Sequence, residues 1–313
     1  MSSSPTATSF LLLASGASRL ADPARREAVI SAAAAAIAAR TGAQPEIRIT
    51  ASPAQGRAAA REAVAAGASL VVVAGGDGSV RSAAAILAGT GIILGIIPGG
   101  TGNLLAAALG VPLRPDQAIA ALAAARERAI DMGHAWVGRS PAAPTPFVVA
   151  AGVGFDARVM AATPERRKRS FGIIAYFAAA TAVAVRIRPF PVRLTVDGVV
   201  HETDALAVLV ANAGELVPGL LRPRLPLIPD DGVLDVLVAR GRGPAGGSRA
   251  ALELLFGRGV HTEIGPYAAR FAARHVEVEV GPGEPIEVDG DVVGAGHLVA
   301  EVVPGAVRIL VPA

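Results

Sequence analysis

Two glycine clusters carry the chemistry that this sequence offers: "GGDGS" at Gly75–Ser79 and "PGGTGN" at Pro98–Asn103. Each follows a run rich in β-branched residues, and they stand ~24 residues apart, the spacing of a βαβ unit. Loops beyond the carboxyl ends of parallel strands are where ligands collect. Glycine lets the backbone approach a ligand closely, while free N–H groups and the start of the following helix favour an anion. The clusters therefore read as two halves of a phosphate cradle, Gly75, Gly76, Asp77, Gly78 and Ser79 on one side, Thr101 and Asn103 on the other. Either cluster alone is equally an ordinary tight turn, but such a turn needs no Asp77, Thr101 or Asn103. An acid beside phosphates calls for a bridging cation, so Asp77 implies Mg²⁺.

Such loops need a parallel sheet to place them. "FLLLAS" precedes a helix over Asp22–Arg40, "EIRIT" a helix over Gln55–Ala66, "LVVVA" the segment "SVRSAAAILAG", and "IILGIIP" the segments "NLLAAALG" and "RPDQAIAALAAAR". This alternation predicts an α/β domain with a parallel sheet over residues 1–132. Near Asp131 the texture changes to short strands separated by turn residues, from "HAWVG" to "HLVAEVV" and "VRILV". That predicts an antiparallel β-sandwich or barrel over residues 133–313, its last strand free to return to the first domain. One helix, Ser170–Val185, interrupts it, and "VGRSPAAPTP" at Val137–Pro146 reads as an exposed hairpin loop.

Composition bounds the function. A chain of 313 residues favours two domains. Mean hydropathy is +0.50, an excess that is mostly alanine, and the apolar run Phe171–Val185 is shorter than the ~20 residues of a spanning helix. "MSSSPTATSFLLLASG" lacks the basic start and long apolar core of a signal peptide, and without cysteine there is no disulfide framework, so a cytoplasmic protein is expected. Net charge is only +3 while the pI is near 10.1, because the cations are almost all arginine. This bias, with abundant Ala, Gly and Pro, also fits a coding preference. Lys168 is the only lysine and lies in "ERRKRS", which excludes a Walker A loop. The five histidines lack metal-site spacing, and 4% aromatic content with scattered arginines argues against nucleic acid as a partner. "ERRKRSFGIIAYF" puts five charges, four of them positive, before the apolar helix. The segment either docks on an anionic membrane surface, at ~1 kcal/mol per basic residue, or packs on the β-rich domain with its arginines solvated.

In chain order "GGDGS", "PGGTGNLLAAALGVP", "AGVGFDARV", "PDDGVLDV" and "VDGD" resemble the diacylglycerol kinase catalytic family of bacterial lipid kinases, a group similar to the sphingosine and ceramide kinases. The resemblance runs from Phe10 to Pro312 and implies an ATP-binding α/β domain, a β-rich domain, and a cleft for ATP and a lipid hydroxyl. Carried over by motif, Gly75, Gly76, Asp77, Gly78, Ser79 and Arg81 contact ATP, with Thr101 and Thr50. The resemblance also implies a structural Mg²⁺ held in "IPDDGVLD" by Asp231 and the carbonyls of Ile228 and Val233. It makes Asp291 the proton acceptor and Asp289 its supporting acid, although a hairpin turn explains Asp289 and Gly290 equally well. Four positions depart from the family. Ser79 stands for a threonine, and the N-terminal Asn-Pro-x-Ser-Gly is reduced to "LLLASGAS", keeping Ser15 and Gly16. "GELVPGLLRPRLPL" replaces a glycine-rich patch, and "VDGD" in place of Asp-Gly-Glu shortens the acceptor by one methylene. Asp156 either faces the lipid head group or caps a helix, whereas Asp197 in "VDGVV" reads as a hairpin turn.

Phosphoryl transfer is mainly positioning and charge neutralisation, with a carboxylate to accept the proton of an alcohol nucleophile. The leading expectation is an ATP-dependent lipid kinase acting as a peripheral protein at the inner membrane face. An NAD kinase also uses a "GGDG" loop but leaves "PGGTGN" with a downstream "VDGD" unexplained. A catalytically silent lipid-binding protein is the third reading, which the shortened Asp291 allows. An uncharged lipid hydroxyl leaves recognition to an apolar slot, so neither the particular lipid nor the oligomeric state is encoded in a motif.

Overall fold

The computed structural model describes residues 8–138, 143–154, 158, 188–214, 227–256 and 265–313. The expected helix Ser170–Val185 with its basic run, Asp156, the middle of the Val137–Pro146 loop and most of "GELVPGLLRPRLPL" lie outside the described residues. The chain forms two compact units, Met1–Ile130 with Gly305–Ala313, and Asp131–Pro304.

The first unit is built on strands β1 (Ser9–Ala14), β2 (Glu46–Thr50), β3 (Leu70–Gly75) and β4 (Ile93–Pro98), in the order β2-β1-β3-β4 and all parallel. The end of the last strand joins them, with Arg308 and Ile309 beside Ile93 and Leu94. β3 is buried at every position, as a parallel strand covered on both faces must be. Helices α1 (Pro23–Thr41) and α5 (Pro115–Leu122) pack together, as do α2 (Pro53–Ala65) and α3 (Asp77–Leu87), while the short α4 (Leu104–Ala108) follows β4. The alanines let these helices lie close: Ala33, Ala60, Ala63 and Ala84 are fully buried.

Local chemistry marks the helix ends. Asp22 accepts from the Arg25 amide at 2.7 Å and Ser52 from the Gln55 amide at 3.3 Å, each followed by proline at the first helical position. Gly42, at φ +80°, closes α1 in the left-handed conformation. Arg40 caps the far end of α5, donating to the carbonyls of Leu122 and Ala125 at 3.2 and 2.8 Å.

The second unit is the antiparallel sandwich. One sheet holds β8 (Phe190–Val196), β9 (Val199–Ala205), β13 (His275–Glu279) and the start of β16 (His297–Val311). The other runs β12-β11-β10-β7-β14-β15, from β7 (Ala150–Gly154), β10 (Ala207–Ala211), β11 (Leu234–Ala239), β12 (Ala268–Ala273), β14 (Pro285–Val288) and β15 (Asp291–Ala295). Inward residues of both sheets, among them Val153, Leu194, Val236, Val278 and Ile286, share one core. β5 (Arg126–Val137) pairs with β6 (Thr145–Phe147).

Two elements differ from the expected pattern. "HLVAEVV" and "VRILV", expected as separate strands, are one strand of 15 residues, because extended pairing resumes directly beyond Pro304 and Gly305, with Gly305 taking φ +58°. Helix α6 (Gly243–Phe256) was not expected, since its "GPAGG" start is glycine-rich, and it is contacts with β11 and β12 that hold it.

Two Asp-Gly hairpins share one device. Asp197–Gly198 joins β8 to β9 and Asp289–Gly290 joins β14 to β15, both residues of each pair at positive φ. Asp197 then binds a neighbouring strand, accepting from the amides of Arg274 and His275 at 3.0 and 2.8 Å. Asp197→Ala loses a charged acceptor and puts a side chain ill-suited to φ +45° in the turn. Its unfolding free energy should fall by about 1–3 kcal/mol, and Asp197→Asn, which keeps an acceptor oxygen, should lose less. Urea midpoints for the three proteins measure the difference.

Candidate active site

The two glycine clusters leave the carboxyl ends of the adjacent strands β3 and β4 and are locked to one another. The Gly99 amide donates to the Gly75 carbonyl at 2.8 Å. A Cβ on Gly100 would stand 2.7 Å from the Gly76 Cα, so the two backbones meet where no side chain fits. A Cβ on Gly76 would first meet the Cα of Gly100, at 3.3 Å. Gly78 differs, since a Cβ there meets nothing within 4 Å.

Asp77 closes the lock. Its carboxylate accepts from the amides of Asn103 at 2.7 Å and Leu104 at 2.6 Å, so the first residue of α3 carries the start of α4. Burial pushes the Asp77 carboxyl above the ordinary range, and these backbone N–H groups pull it part of the way back. The acid thus has partners within the protein, and its presence does not by itself call for a cation. Asn103, buried and left-handed at φ 54°, folds the second loop on itself. Its Oδ1 accepts from the Gly100 amide at 3.0 Å, and its Nδ2 donates to the Gly100 carbonyl at 2.8 Å.

The other expected first-unit residues surround this lock. Ser79 and Arg81 lie on the first turns of α3, and a Cβ on Gly75 would come 2.9 Å from that of Ser79. Thr50 is buried, donates to the Leu13 carbonyl at 3.3 Å, and accepts from the Ser15 amide and hydroxyl at 3.0 and 3.1 Å. It therefore anchors the loop after β1. Thr101 is exposed, its hydroxyl 3.4 Å from that of Ser18.

In the second unit Ile228, Asp231 and Val233 share the loop before β11. The Asp231 carboxylate accepts from the Val233 amide at 3.2 Å. Sequence reasoning missed Asp131, which is 2% exposed and holds this loop from below: its amide donates to the Pro229 carbonyl at 2.6 Å, and its carboxylate accepts from the Gly232 amide at 2.7 Å. The donors offered here are a carboxylate and carbonyls, all oxygen, which fits Mg²⁺ completed by water. Among the described residues no group of three or more His, Cys, Asp or Glu side chains could hold a metal. Next to this loop, Asp235 is pushed up by burial and held down by Arg270 at 2.7 Å, with the Asp231 charge adding a push upward.

Asp289 and Asp291 have different surroundings. The Asp289 carboxylate accepts from three amides, Val148, Val149 and Ala150, at 3.0, 2.9 and 3.0 Å. Expected as an acid supporting the base, it braces the hairpin, as Asp197 braces its own. Asp291 opens β15 opposite Val288 and is exposed. Sequence reasoning also missed Glu287, 5% exposed, which accepts from the Gly290 amide at 2.7 Å from inside the same hairpin. The alternation of inward Ile286 and Val288 was the available signal, since it puts Glu287 on the opposite face.

A parallel α/β unit with interlocked glycine loops at its strand ends, joined to an antiparallel sandwich, defines a two-domain class of protein. Residues 23–135 match the diacylglycerol kinase catalytic domain, and residues 148–311 match the YegS C-terminal NAD kinase beta sandwich-like domain. A diacylglycerol kinase of Mycobacterium tuberculosis is 33% identical over 261 residues, covering 80% of this chain and 79% of that protein. A Stenotrophomonas maltophilia protein named "Probable lipid kinase YegS-like" is 32% identical, covering 87% and 88%. The chain also spans 55% of the length of the uncharacterized protein sll0036 of Synechocystis, at 26% identity. A diacylglycerol kinase crystal structure from Bacillus anthracis str. Sterne has the same fold, with a TM-score of 0.70 at 21% identity, covering 99% of this chain and 98% of that one. The chain belongs to the diacylglycerol kinase-like family of lipid kinases.

The contrast between Gly100 and Gly78 gives a paired test. Gly100→Ala must part the two loops and should weaken ATP binding strongly at a cost of ~1–3 kcal/mol in stability. Gly78→Ala, free of contacts and inside a helix, should keep or gain ~0.5–1 kcal/mol. Any loss of ATP affinity in Gly78→Ala then reports crowding of the ligand itself, and titration calorimetry beside thermal melts separates the two effects.

Proposed function

We propose that this protein transfers the γ-phosphoryl group of ATP to the hydroxyl of a lipid of the diacylglycerol class. The observation that carries the reading is the pair of interlocked glycine loops at the ends of β3 and β4, in a chain of the lipid kinase family. Gly75, Gly76, Gly78 and Ser79 on one side and Thr101 on the other bind the phosphates, with Arg81 adding positive charge and Thr50 supporting the neighbouring loop. Asp77 and Asn103 shape the cradle from behind. Mg²⁺ supplies charge neutralisation to the nucleotide, and a second ion at Ile228, Asp231 and Val233 stiffens the loop before β11. Asp291 takes the proton of the lipid hydroxyl, and Asp289 aims it by fixing the hairpin. Such an acceptor lies in a bilayer, so the protein works at a membrane surface; among the described residues no helix is long and apolar enough to cross one.

Asp291→Asn is nearly isosteric but not basic. It should lose ~10²- to 10⁴-fold in kcat and still bind ATP, while Asp291→Glu should keep or raise activity. The decisive assay supplies labelled ATP with vesicles carrying diacylglycerol and related lipids, and separately with NAD. Label in a lipid supports the reading, label in NAD moves the protein to the NAD kinases, and no label with intact ATP binding makes it a silent lipid-binding protein.

A further inference from the structure

The two Asp-Gly hairpins, built alike at the turn, differ in one buried side chain. At the turn from β8 to β9, Asp197–Gly198 lies between Val196 and Val199, with Thr195 one residue further back. At the turn from β14 to β15, Asp289–Gly290 lies between Val288 and Asp291, and Glu287 stands where the other hairpin has Thr195. Both turns take positive φ at both residues, and both aspartates accept from amides of a neighbouring segment. A turn of this kind therefore forms without a carboxylate two residues before its aspartate.

Glu287 is nonetheless 5% exposed, on the face of β14 turned away from the core that Ile286 and Val288 enter. Burying a carboxylate is costly unless hydrogen bonds hold it. Its Oε2 accepts from the Gly290 amide at 2.7 Å, one residue before Asp291. Gly152, its partner on β7, leaves the space for it, since a Cβ there would stand 3.1 Å from the Glu287 Oε1. The register between β14 and β15 also shifts between Ile286 and Glu287, so on the turn side two residue pairs, Glu287 with Val292 and Val288 with Asp291, join the strands. Such irregularities re-aim the side chains beside them.

We propose that Glu287 is a positioning residue for the proton acceptor, holding the Gly290 peptide so that the Asp291 carboxylate is aimed at the lipid hydroxyl. The inference rests on the reading of Asp291 as the base. Asp289 ties the turn to the start of β7, and Glu287 fixes the peptide that leads into Asp291. The base then stands at the surface on a turn held from two sides. One methylene shorter than a glutamate, it has less reach with which to correct a displaced backbone, and a misplacement of about 1 Å can cost ~10²-fold in rate.

Turnover is measured on the full chain with labelled ATP and diacylglycerol vesicles, well below the melting temperature of every variant, beside ATP affinity by titration calorimetry. Glu287→Ala should lose ~10- to 10²-fold in kcat while ATP affinity stays at the parental level. Glu287→Gln, whose side-chain oxygen still accepts from the Gly290 amide, should recover most of that turnover. In an Asp291→Asn background, Glu287→Ala should cost little more, because the group it positions is gone. Parental kcat in Glu287→Ala, a glutamine no better than alanine, or an equal loss in both backgrounds overturns the assignment and leaves Asp291 as the base. Parental kcat in Asp291→Asn, or a parent protein that labels no lipid, removes the base reading itself, and Glu287 with it.

Discussion

A single carboxylate organises the first unit. Asp77 reaches from the start of α3 to the amides of Asn103 and Leu104, and the loops after β3 and β4 become one body. A phosphate site built from backbone amides must hold them at fixed spacing before the ligand arrives, since flexible donors would have to be ordered on binding. The bare glycines make this lock sterically possible, for a Cβ at Gly100 or Gly102 would run into Gly76 or the Asp77 carboxylate at 2.7 Å. The glycine pattern thus serves the fit between loops as much as approach to a ligand.

The same economy recurs in the sandwich, where short acids tie turns to neighbouring strands. Asp197 and Asp289 each occupy the first position of a left-handed turn and each accept from consecutive amides of an adjacent segment. Asp131 does comparable work for the loop before β11. Charged acceptors bound to backbone N–H groups are among the stronger hydrogen bonds, which suits loops that contribute little apolar burial of their own. Asp291, beside these braces, is the acid of its hairpin left at the surface.

Much of this architecture was legible in the chain. The strands β1, β3 and β4 are continuous apolar runs, the starts of α1 and α2 carry Asp22 and Ser52 ahead of proline, and both Asp-Gly pairs announce hairpins. The family was legible as well, because the two glycine clusters come in the right order and spacing. What stayed hidden depends on partners distant in sequence. Asp77 reads as an acid beside a cation, and nothing local to it announces its bonds to residues 26 and 27 positions away. Asp289 reads as half of an acid pair or as a hairpin residue, and the amides it braces lie some 140 positions upstream. α6 was hidden for another reason, its glycines holding a helix only because β11 and β12 support it.

That Asp77 works by holding the two glycine loops together can be tested directly. Amide hydrogen exchange at Asn103 and Leu104 is followed in the parent and in Asp77→Ala, with ATP affinity measured on the same samples. The account predicts that both amides lose protection and that ATP affinity falls with them. Weakened ATP binding with Asn103 and Leu104 still protected at the parental level would contradict it, and would place the Asp77 carboxylate on the nucleotide or its metal ion.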